Sequence, residues 1–298
     1  MLTLRRTKLS DCEFINRKLT ERSGENCELC FANMYIWRCG YDIMVADYDD
    51  MLLVRMEDDT GYYFLPPAGN GNMEAAVKTV IDYFAKMGLP PRFSNVTMED
   101  AALIEAAAPG VFTVHHIRDA DDYVHLTESL ATLEGKAFHG KRGHVKKFKS
   151  SYNFEYRPIT KDLIPAVLEL SEIWCKQHIF CDSEADNSEF CATKQLFASF
   201  DELGVIGGAV FIDGEMVGFS AGTPRYPGCD TLIVHLEKAL TTYDGVYSAV
   251  NNMFMTDAME QGFKYANREE DMGIAGLRKS KLSYNPELLL ENFELVGR

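Results

Sequence analysis

Apolar residues change their spacing several times along the chain, and each change predicts an element. Residues 8–38 carry a mixed helical pattern that ends near Trp37. After Gly40 the pattern shortens to runs at 43–46, 51–56 and 62–65, separated by Asp-rich turns at 47–50 and 57–61, which predicts strands. Val77, Val80, Ile81, Phe84 and Met87 then recur at helical spacing, and Gly88 followed by Pro90-Pro91 closes that helix. A strand at 92–97, a helix at 99–108 and a strand at 111–117 complete a first α/β unit.

From Asn153 a similar pattern returns. It predicts a strand at 154–158, helices at 162–176 and 182–200, and a hairpin of strands 204–212 and 216–224 joined at Asp213-Gly214. Thr231 to Glu237 alternates as a strand should, with Ile233, His235 and Glu237 on one face and Leu232, Val234 and Leu236 on the other. Asp244 caps the next helix, whose core face is Val246, Ala249, Val250, Met253, Phe254 and Ala258. Gly262 ends it, Asn285-Pro286 opens a short helix, and 293–296 reads as a final strand. The order of helix, Gly88, Phe93-Ser94-Asn95 and Glu99-Asp100 is echoed by helix, Gly262, Tyr265-Ala266-Asn267 and Glu269-Glu270-Asp271. A duplicated α/β unit explains the echo.

Length agrees, since 298 residues suit two domains of ~150 each. With 46% hydrophobic and 25% charged residues the composition is globular, and a net charge of −15 argues against a protein that coats nucleic acid over its whole surface. No apolar run reaches the ~18 residues of a membrane span and the first twenty residues lack a signal-peptide core, so a soluble cytoplasmic protein is expected. Eight cysteines are too few for a disulfide scaffold. Cys27-x-x-Cys30 has no second pair, and Cys175-x-x-His178-x-x-Cys181 has no evident fourth ligand; packing or surface thiols are the reading for both, with a metal or redox role as the alternative.

Three stretches carry candidate chemistry. Residues 135–151, GKAFHGKRGHVKKFKSS, hold Lys136, Lys141, Arg142, Lys146, Lys147 and Lys149 with no acid, while Phe138, Val145, Phe148 and Tyr152 form an apolar stripe. Such a surface can hold phosphates of a nucleotide, a lipid headgroup or a tRNA acceptor arm, with Lys141, Arg142 and Lys147 as the candidates; the alternative is a helix that neutralises acidic surroundings. Gly69-Asn70-Gly71 before a helix is either an anion cradle or a turn. Residues 263–284 run from a short strand through Asn267, Arg268, Glu269, Glu270 and Asp271 into a helix with Arg278, Lys279 and Lys281. Ligands gather at such strand-to-helix junctions, although acids before a helix and bases near its end also answer its dipole.

Four motifs together carry a family resemblance: LATLEGKAFHGKRGHVKKF (130–148), HLEKA (235–239), DGVYSAVNN (244–252) and NREEDMGIAGLRKSKLSY (267–284). The chain resembles the bacterial family built on the C-terminal domain of phosphatidylglycerol lysyltransferase. The resemblance implies an α/β fold of two tandem GNAT-like (acyl-CoA N-acyltransferase) domains, related to the Fem-type aminoacyltransferases, each a mixed and mainly antiparallel sheet with helices on both faces. The expected division is an N-terminal domain at 1–120, basic connecting helices at 121–152 and a C-terminal domain at 153–298. It further implies transfer of an acyl or aminoacyl group from aminoacyl-tRNA or acyl-CoA, as co-substrate, to an amine, peptide, hydroxyl or lipid acceptor. The Arg/Gln-x-x-Gly-x-Gly/Ala pyrophosphate loop of ordinary acetyltransferases is missing between Glu237 and Tyr247, where Leu240 to Gly245 offers a single glycine.

Such a transfer needs a base, a donor to the developing oxyanion and positive charge for the donor's phosphates. Glu237 is the first candidate base, with Glu269 or Asp271 as alternatives and His235 to orient or relay the proton. Tyr284 or Tyr247 can protonate a leaving group. Arg278, Lys281, Lys141, Arg142 and Lys147 are candidates for phosphates, and Asn251, Asn267 and Arg268 for other contacts. No metal site is expected. A GNAT-like module that only binds RNA, a nucleotide or an anionic lipid is the alternative function.

Overall fold

A computed structural model describes residues 2–38, 40–177 and 189–298. The chain forms two compact units, the first comprising Met1–Asp122, Glu270–Gly273 and Leu290–Arg298, the second Tyr123–Glu269 and Ile274–Leu289.

The first unit begins with β1 (Arg5–Arg6), α1 (Cys12–Glu21) and α2 (Phe31–Ile36), so the expected helix over 8–38 is interrupted. It continues with β2 (Met44–Tyr48), β3 (Met51–Asp58), β4 (Gly61–Phe64), β5 (Ala68–Gly69), α3 (Met73–Met87), β6 (Arg92–Val96), α4 (Met98–Ala107) and β7 (Phe112–His116). The apolar stripe of α3 is buried as its spacing requires, with Val77, Val80 and Phe84 packed on Leu53, Phe64 and Phe93 of the sheet. Asn72 caps that helix by accepting from the Ala75 N–H at 3.1 Å, and Gly88 ends it with φ 69°. Gly71 is a glycine because a Cβ there would lie 2.0 Å from the Asp49 carbonyl oxygen. The Gly69 to Gly71 stretch is therefore a tightly packed turn against the acidic Asp49-Asp50 loop, a poor cradle for an anion.

The second unit contains β8 (Asp122–Leu126), α5 (Thr127–Thr132), α6 (His139–Ser151), β9 (Phe154–Pro158), α7 (Ile164–Gln177), α8 (Glu189–Ala198), β10 (Ile206–Ile212), β11 (Glu215–Pro224), β12 (Thr231–Ala239), α9 (Val246–Glu260), β13 (Tyr265–Asn267), α10 (Ala275–Leu282) and β14 (Leu288–Leu290). Its strands run in the order β14-β8-β13-β12-β11-β10-β9. All pairings from β13 through β9 are antiparallel except β12 with β13, which α9 connects as a crossover. One stretch of α9 packs Phe254, Met255 and Ala258 on Leu232, Val234 and Ala266. Another packs Val246, Ala249 and Val250 on Val210, Val217 and Ala239. The chain's last strand, β15 (Phe293–Gly297), lies between β6 and β7 and closes the first unit's sheet.

Four local expectations change. Residues 121–152 are not all helical: β8 is a strand, and α5 and α6 pack within the second unit. Residues 290–298 belong to the first unit. Asn285-Pro286 leads into the strand β14 in place of a helix. Gly245, at φ 81°, is the N-cap of α9, while Asp244 sits one residue outside and pairs with Lys147 at 2.6 Å. Among the described residues no helix is long and apolar enough to cross a membrane.

The alternation predicted for β12 also breaks. Its register with β11 passes from Leu236 opposite Ala221 to Val234 opposite Gly222, which leaves His235 in a bulge. Gly222 has no room for a side chain, since a Cβ would meet the Ile233 carbonyl oxygen at 2.2 Å. Beyond the bulge the faces exchange. Val234 packs against α9, and three residues later Glu237 does so too. His235 is turned the other way, to Thr223 of β11, so His235 and Glu237 do not share a face.

Candidate functional site

Glu237, carried to the α9 side of β12 by the bulge, is the centre of a buried polar cluster in the second unit. Its side chain is 14% exposed. One carboxylate oxygen accepts from Arg268 Nη2 at 2.9 Å, and the other from Asn251 Nδ2 at 2.8 Å. Arg268 follows β13 directly, and Asn251 is on the sheet-facing side of α9. The guanidinium lies over the Tyr284 ring, 4.6 Å from its centroid, and Lys141 Nζ lies 3.6 Å from the same centroid. Lys281 Nζ donates to the Arg268 backbone carbonyl and so fixes the turn that presents the guanidinium.

The electrostatics follow from burial. Desolvation first, and then repulsion by Arg268, hold the Lys141 amine down at about 8, against the opposing pull of Glu237. Burial and the Glu237 charge push the Tyr284 hydroxyl up to about 12, so it stays protonated near neutrality. His125 on β8 is 1% exposed, and burial together with the nearby Arg268 and Lys281 charges keeps it neutral with a value of about 3; the Tyr284 backbone runs beside it without forming a well-made hydrogen bond. Among the described residues, Arg268 Nη1 and Asn251 Oδ1 are likewise buried with no partner. Buried polar atoms normally have partners; Arg55 Nε and Asn292 Oδ1 of the first unit share this condition, and in the second unit such atoms gather around one carboxylate.

Of the residues nominated by sequence, Glu237, Arg268, Asn251, Tyr284, Lys141 and Lys281 come together here. His235 does not join them: its Nδ1 faces Glu269 Oε1 at 3.1 Å and its Nε2 faces Thr223 Oγ1 at 2.9 Å. Asn267 is buried and its Oδ1 accepts the Glu269 N–H at 2.8 Å, supporting the positive φ of Glu269. Asp271 is buried in the first unit, where it accepts from Gly273 N and Arg118 Nη1. The Tyr247 hydroxyl accepts from Trp174 Nε1 at 2.7 Å, and burial raises its pKa. Arg142 Nη1 donates to the Leu133 and Gly135 carbonyls. Lys147 is exposed and paired with Asp244, while Arg278 is half-buried on α10. His125 was missed by sequence reasoning because its strand is only five residues long; the Tyr123/His125 alternation beside Val124 was the available signal.

Cys27 has a different setting from the one its spacing suggested. Its thiol lies 3.4 Å from Asp122 Oδ1 and 3.8 Å from Glu270 Oε2, and its N–H donates to Asp122 Oδ2 at 2.7 Å. These three side chains could hold a cation, their ligand atoms all lying within 4.8 Å of one another, yet thiol-to-carboxylate hydrogen bonds also account for the grouping. Cys30 is buried and is not one of the group. Of the second spacing, Cys175 is buried in α7, and His178 and Cys181 lie outside the described residues.

A conserved protein of unknown function from Bacteroides thetaiotaomicron is 35% identical, with each chain fully covered and a TM-score of 0.92. L-PGS from Bacillus licheniformis is 14% identical, with 96% of this chain and 91% of that one covered, at a TM-score of 0.68. A tandem GNAT protein from the clavulanic acid biosynthesis pathway is 9% identical over 100% of this chain and 98% of that one, at a TM-score of 0.52. The fold is thus α/β with tandem GNAT-like domains. An uncharacterized protein of Mycoplasmoides gallisepticum is 24% identical over 177 residues, 58% of this chain, and the match spans 54% of that curated relative's length. The family model "Phosphatidylglycerol lysyltransferase, C-terminal" matches residues 17–293, and the chain belongs to that family.

Proposed function

We propose that the protein is an acyltransferase of the aminoacyl type, moving an aminoacyl group from an activated ester to an amine or hydroxyl acceptor at the Glu237 cluster. One observation carries this reading: a buried carboxylate gripped by Arg268 and Asn251 beside a lysine whose amine is pulled down to about 8. Family membership supports the reaction class. The lysyl group and the lipid in the family's name supply the first donor and acceptor to try.

The chemistry assigns each group a task. Glu237 has both oxygens engaged by N–H donors, so it anchors the cluster and offers its charge to a substrate ammonium. The acceptor's proton passes to the unprotonated form of Lys141, about one molecule in ten at pH 7 and half at pH 8, as the acceptor's nitrogen or oxygen attacks the ester carbonyl carbon. The carbonyl electron pair moves to oxygen, where Arg268, with one nitrogen uncommitted, supplies an N–H to the oxyanion. Collapse breaks the ester C–O bond, and the leaving oxygen takes a proton from the lysine ammonium or from the Tyr284 hydroxyl. The Tyr284 value near 12 suits a donor that then recovers its proton.

Transfer of label from a mixed aminoacyl-tRNA pool, and separately from acyl-CoA, into lipid, peptide and small-amine fractions tests the proposal. Wild-type protein should transfer from one donor class, and Lys141→Met should lower the rate by ~10². Saturable donor binding with no transfer would sink the catalytic reading and leave a binding module.

A further inference from the structure

The bulge in β12 has two effects. It carries Glu237 to the α9 side of the strand, and it turns His235 the other way, where the imidazole is 1% exposed. A carboxylate cannot donate, so the 3.1 Å contact with Glu269 Oε1 puts the ring proton on Nδ1 and leaves Nε2 of the neutral ring to accept the Thr223 hydroxyl at 2.9 Å. Glu269 directly follows Arg268, and its φ of 57° is a conformation that a glutamate keeps only where its surroundings impose it. Here Asn267 Oδ1 accepts the Glu269 N–H at 2.8 Å, the Tyr123 N–H donates to the Glu269 carbonyl at 3.2 Å, and His235 holds the side chain. Arg268 lies inside this clamp. Its N–H donates to the Tyr123 carbonyl at 2.9 Å, its carbonyl accepts from Lys281 Nζ, and its guanidinium meets Glu237 at 2.9 Å.

From this we infer that His235 is a positioning residue, which acts through the Glu269 carboxylate to hold the Arg268 guanidinium on Glu237. A single ion pair fixes a distance and leaves the guanidinium free to swing about it. Two attachments to one strand, directly through Glu237 and indirectly through His235 and Glu269, fix its direction as well. Direction matters because Arg268 Nη1 is the atom offered to the oxyanion, and a misplacement of about 1 Å is expensive in rate. A proton relay from His235 to Glu237 fits less well, since the two side chains leave β12 on opposite faces. The positioning stands on this geometry, while its effect on rate rests on the transferase reading.

NMR of protein isotope-labelled at the arginine nitrogens tests this without turnover, the Arg268 guanidinium signals being identified by their loss in Arg268→Lys. His235→Leu removes the donor to Glu269, and exchange of the Arg268 N–H protons with water should quicken at least about tenfold, as loss of one charge-assisted hydrogen bond from the support implies. His235→Asn, whose amide nitrogen can stand in for Nδ1, should stay within about threefold of wild type. Glu269→Asn tolerates the left-handed turn but is one methylene shorter, so it should loosen Arg268 as His235→Leu does. The double variant His235→Leu/Glu269→Asn should be no looser than either single one. Thermal melts verify folding, and Glu269→Asn carries the same test should His235→Leu not fold. In the transfer assay His235→Leu should lower kcat about tenfold with KM within about twofold, because Nη1 serves the transition state. Unchanged exchange in both single variants, equal loosening by His235→Asn and His235→Leu, or additive loosening in the double variant would each overturn the inference. Faster exchange in a protein that shows no transfer would support it while removing the transferase reading.

Discussion

The second unit meets some of its buried positive charge as the first does, with Lys238 Nζ 2.7 Å from Glu189 Oε1, but departs from that pattern at the Glu237 cluster. In the first, cations meet carboxylates: Arg92 lies between Asp58, at 2.9 Å, and Glu294; Arg55 pairs with Asp42; Arg22 pairs with Asp100 at 3.0 Å; and the fully buried Lys18 pairs with Asp50. In the second, Arg268 and Lys141 share the field of one carboxylate, Glu237, and a neutral histidine lies beside them. Compensated pairs hold elements together and ask nothing further of a ligand. A surplus of buried positive charge is costly unless something negative or polar completes it, which is why the second unit carries the functional proposal.

The sharpest way to break this comparison is to remove Glu237. Glu237→Ala leaves Arg268 buried with no anionic partner, and stability should fall by about 3–5 kcal/mol, measured by urea unfolding at pH 7. The paired change Glu237→Met/Arg268→Met should recover most of that loss. A single-variant loss below about 1 kcal/mol would mean the cluster is more hydrated than its burial implies. Next comes the rate. Glu237→Gln keeps the shape and removes the charge, and transfer should drop by ~10², about 2.7 kcal/mol of barrier. Arg92→Gln in the first unit, although it breaks two ion pairs, should leave the transfer rate within about twofold; a fall of similar size in both variants would show that the assay reads stability.

Much of this was legible in the sequence, for identifiable reasons. The α3 and α9 stripes are long and periodic, and both helices formed where the spacing placed them. Glu237, Arg268, Asn251 and Tyr284 were nominated from strand-to-helix junctions and helix edges, positions that topology tends to bring together. What failed was local geometry that periodicity does not encode. A single bulged residue reversed the faces of β12 and separated His235 from Glu237. The basic stretch was legible as charge, yet which lysine pairs and which is half-buried depended on Asp244 and Tyr284, both distant in sequence. The β15 exchange into the first sheet was invisible because a short apolar run at a terminus names no partner strand.

The subtlest effect concerns Lys141, and its sign is opposite to that of an ordinary ion-paired lysine. Its value in the folded chain is about 8, below the 10.5 of a free lysine, so the unfolded chain binds this proton more tightly. Below pH 8 both states are protonated and the fold carries the full cost of a charged amine beside Arg268. Between pH 8 and 10.5 the folded state has released the proton while the unfolded state retains it, so stability rises with pH there by linkage. Lys141→Met should therefore stabilise the protein at pH 7, by on the order of 1 kcal/mol once partial solvent exposure is allowed for, and the advantage should fade toward pH 10.5. Unfolding curves of the two proteins from pH 6 to 10.5 measure this. Curves that stay parallel throughout would show that Lys141 titrates as a surface lysine does, and proton transfer would then have to be assigned elsewhere in the cluster.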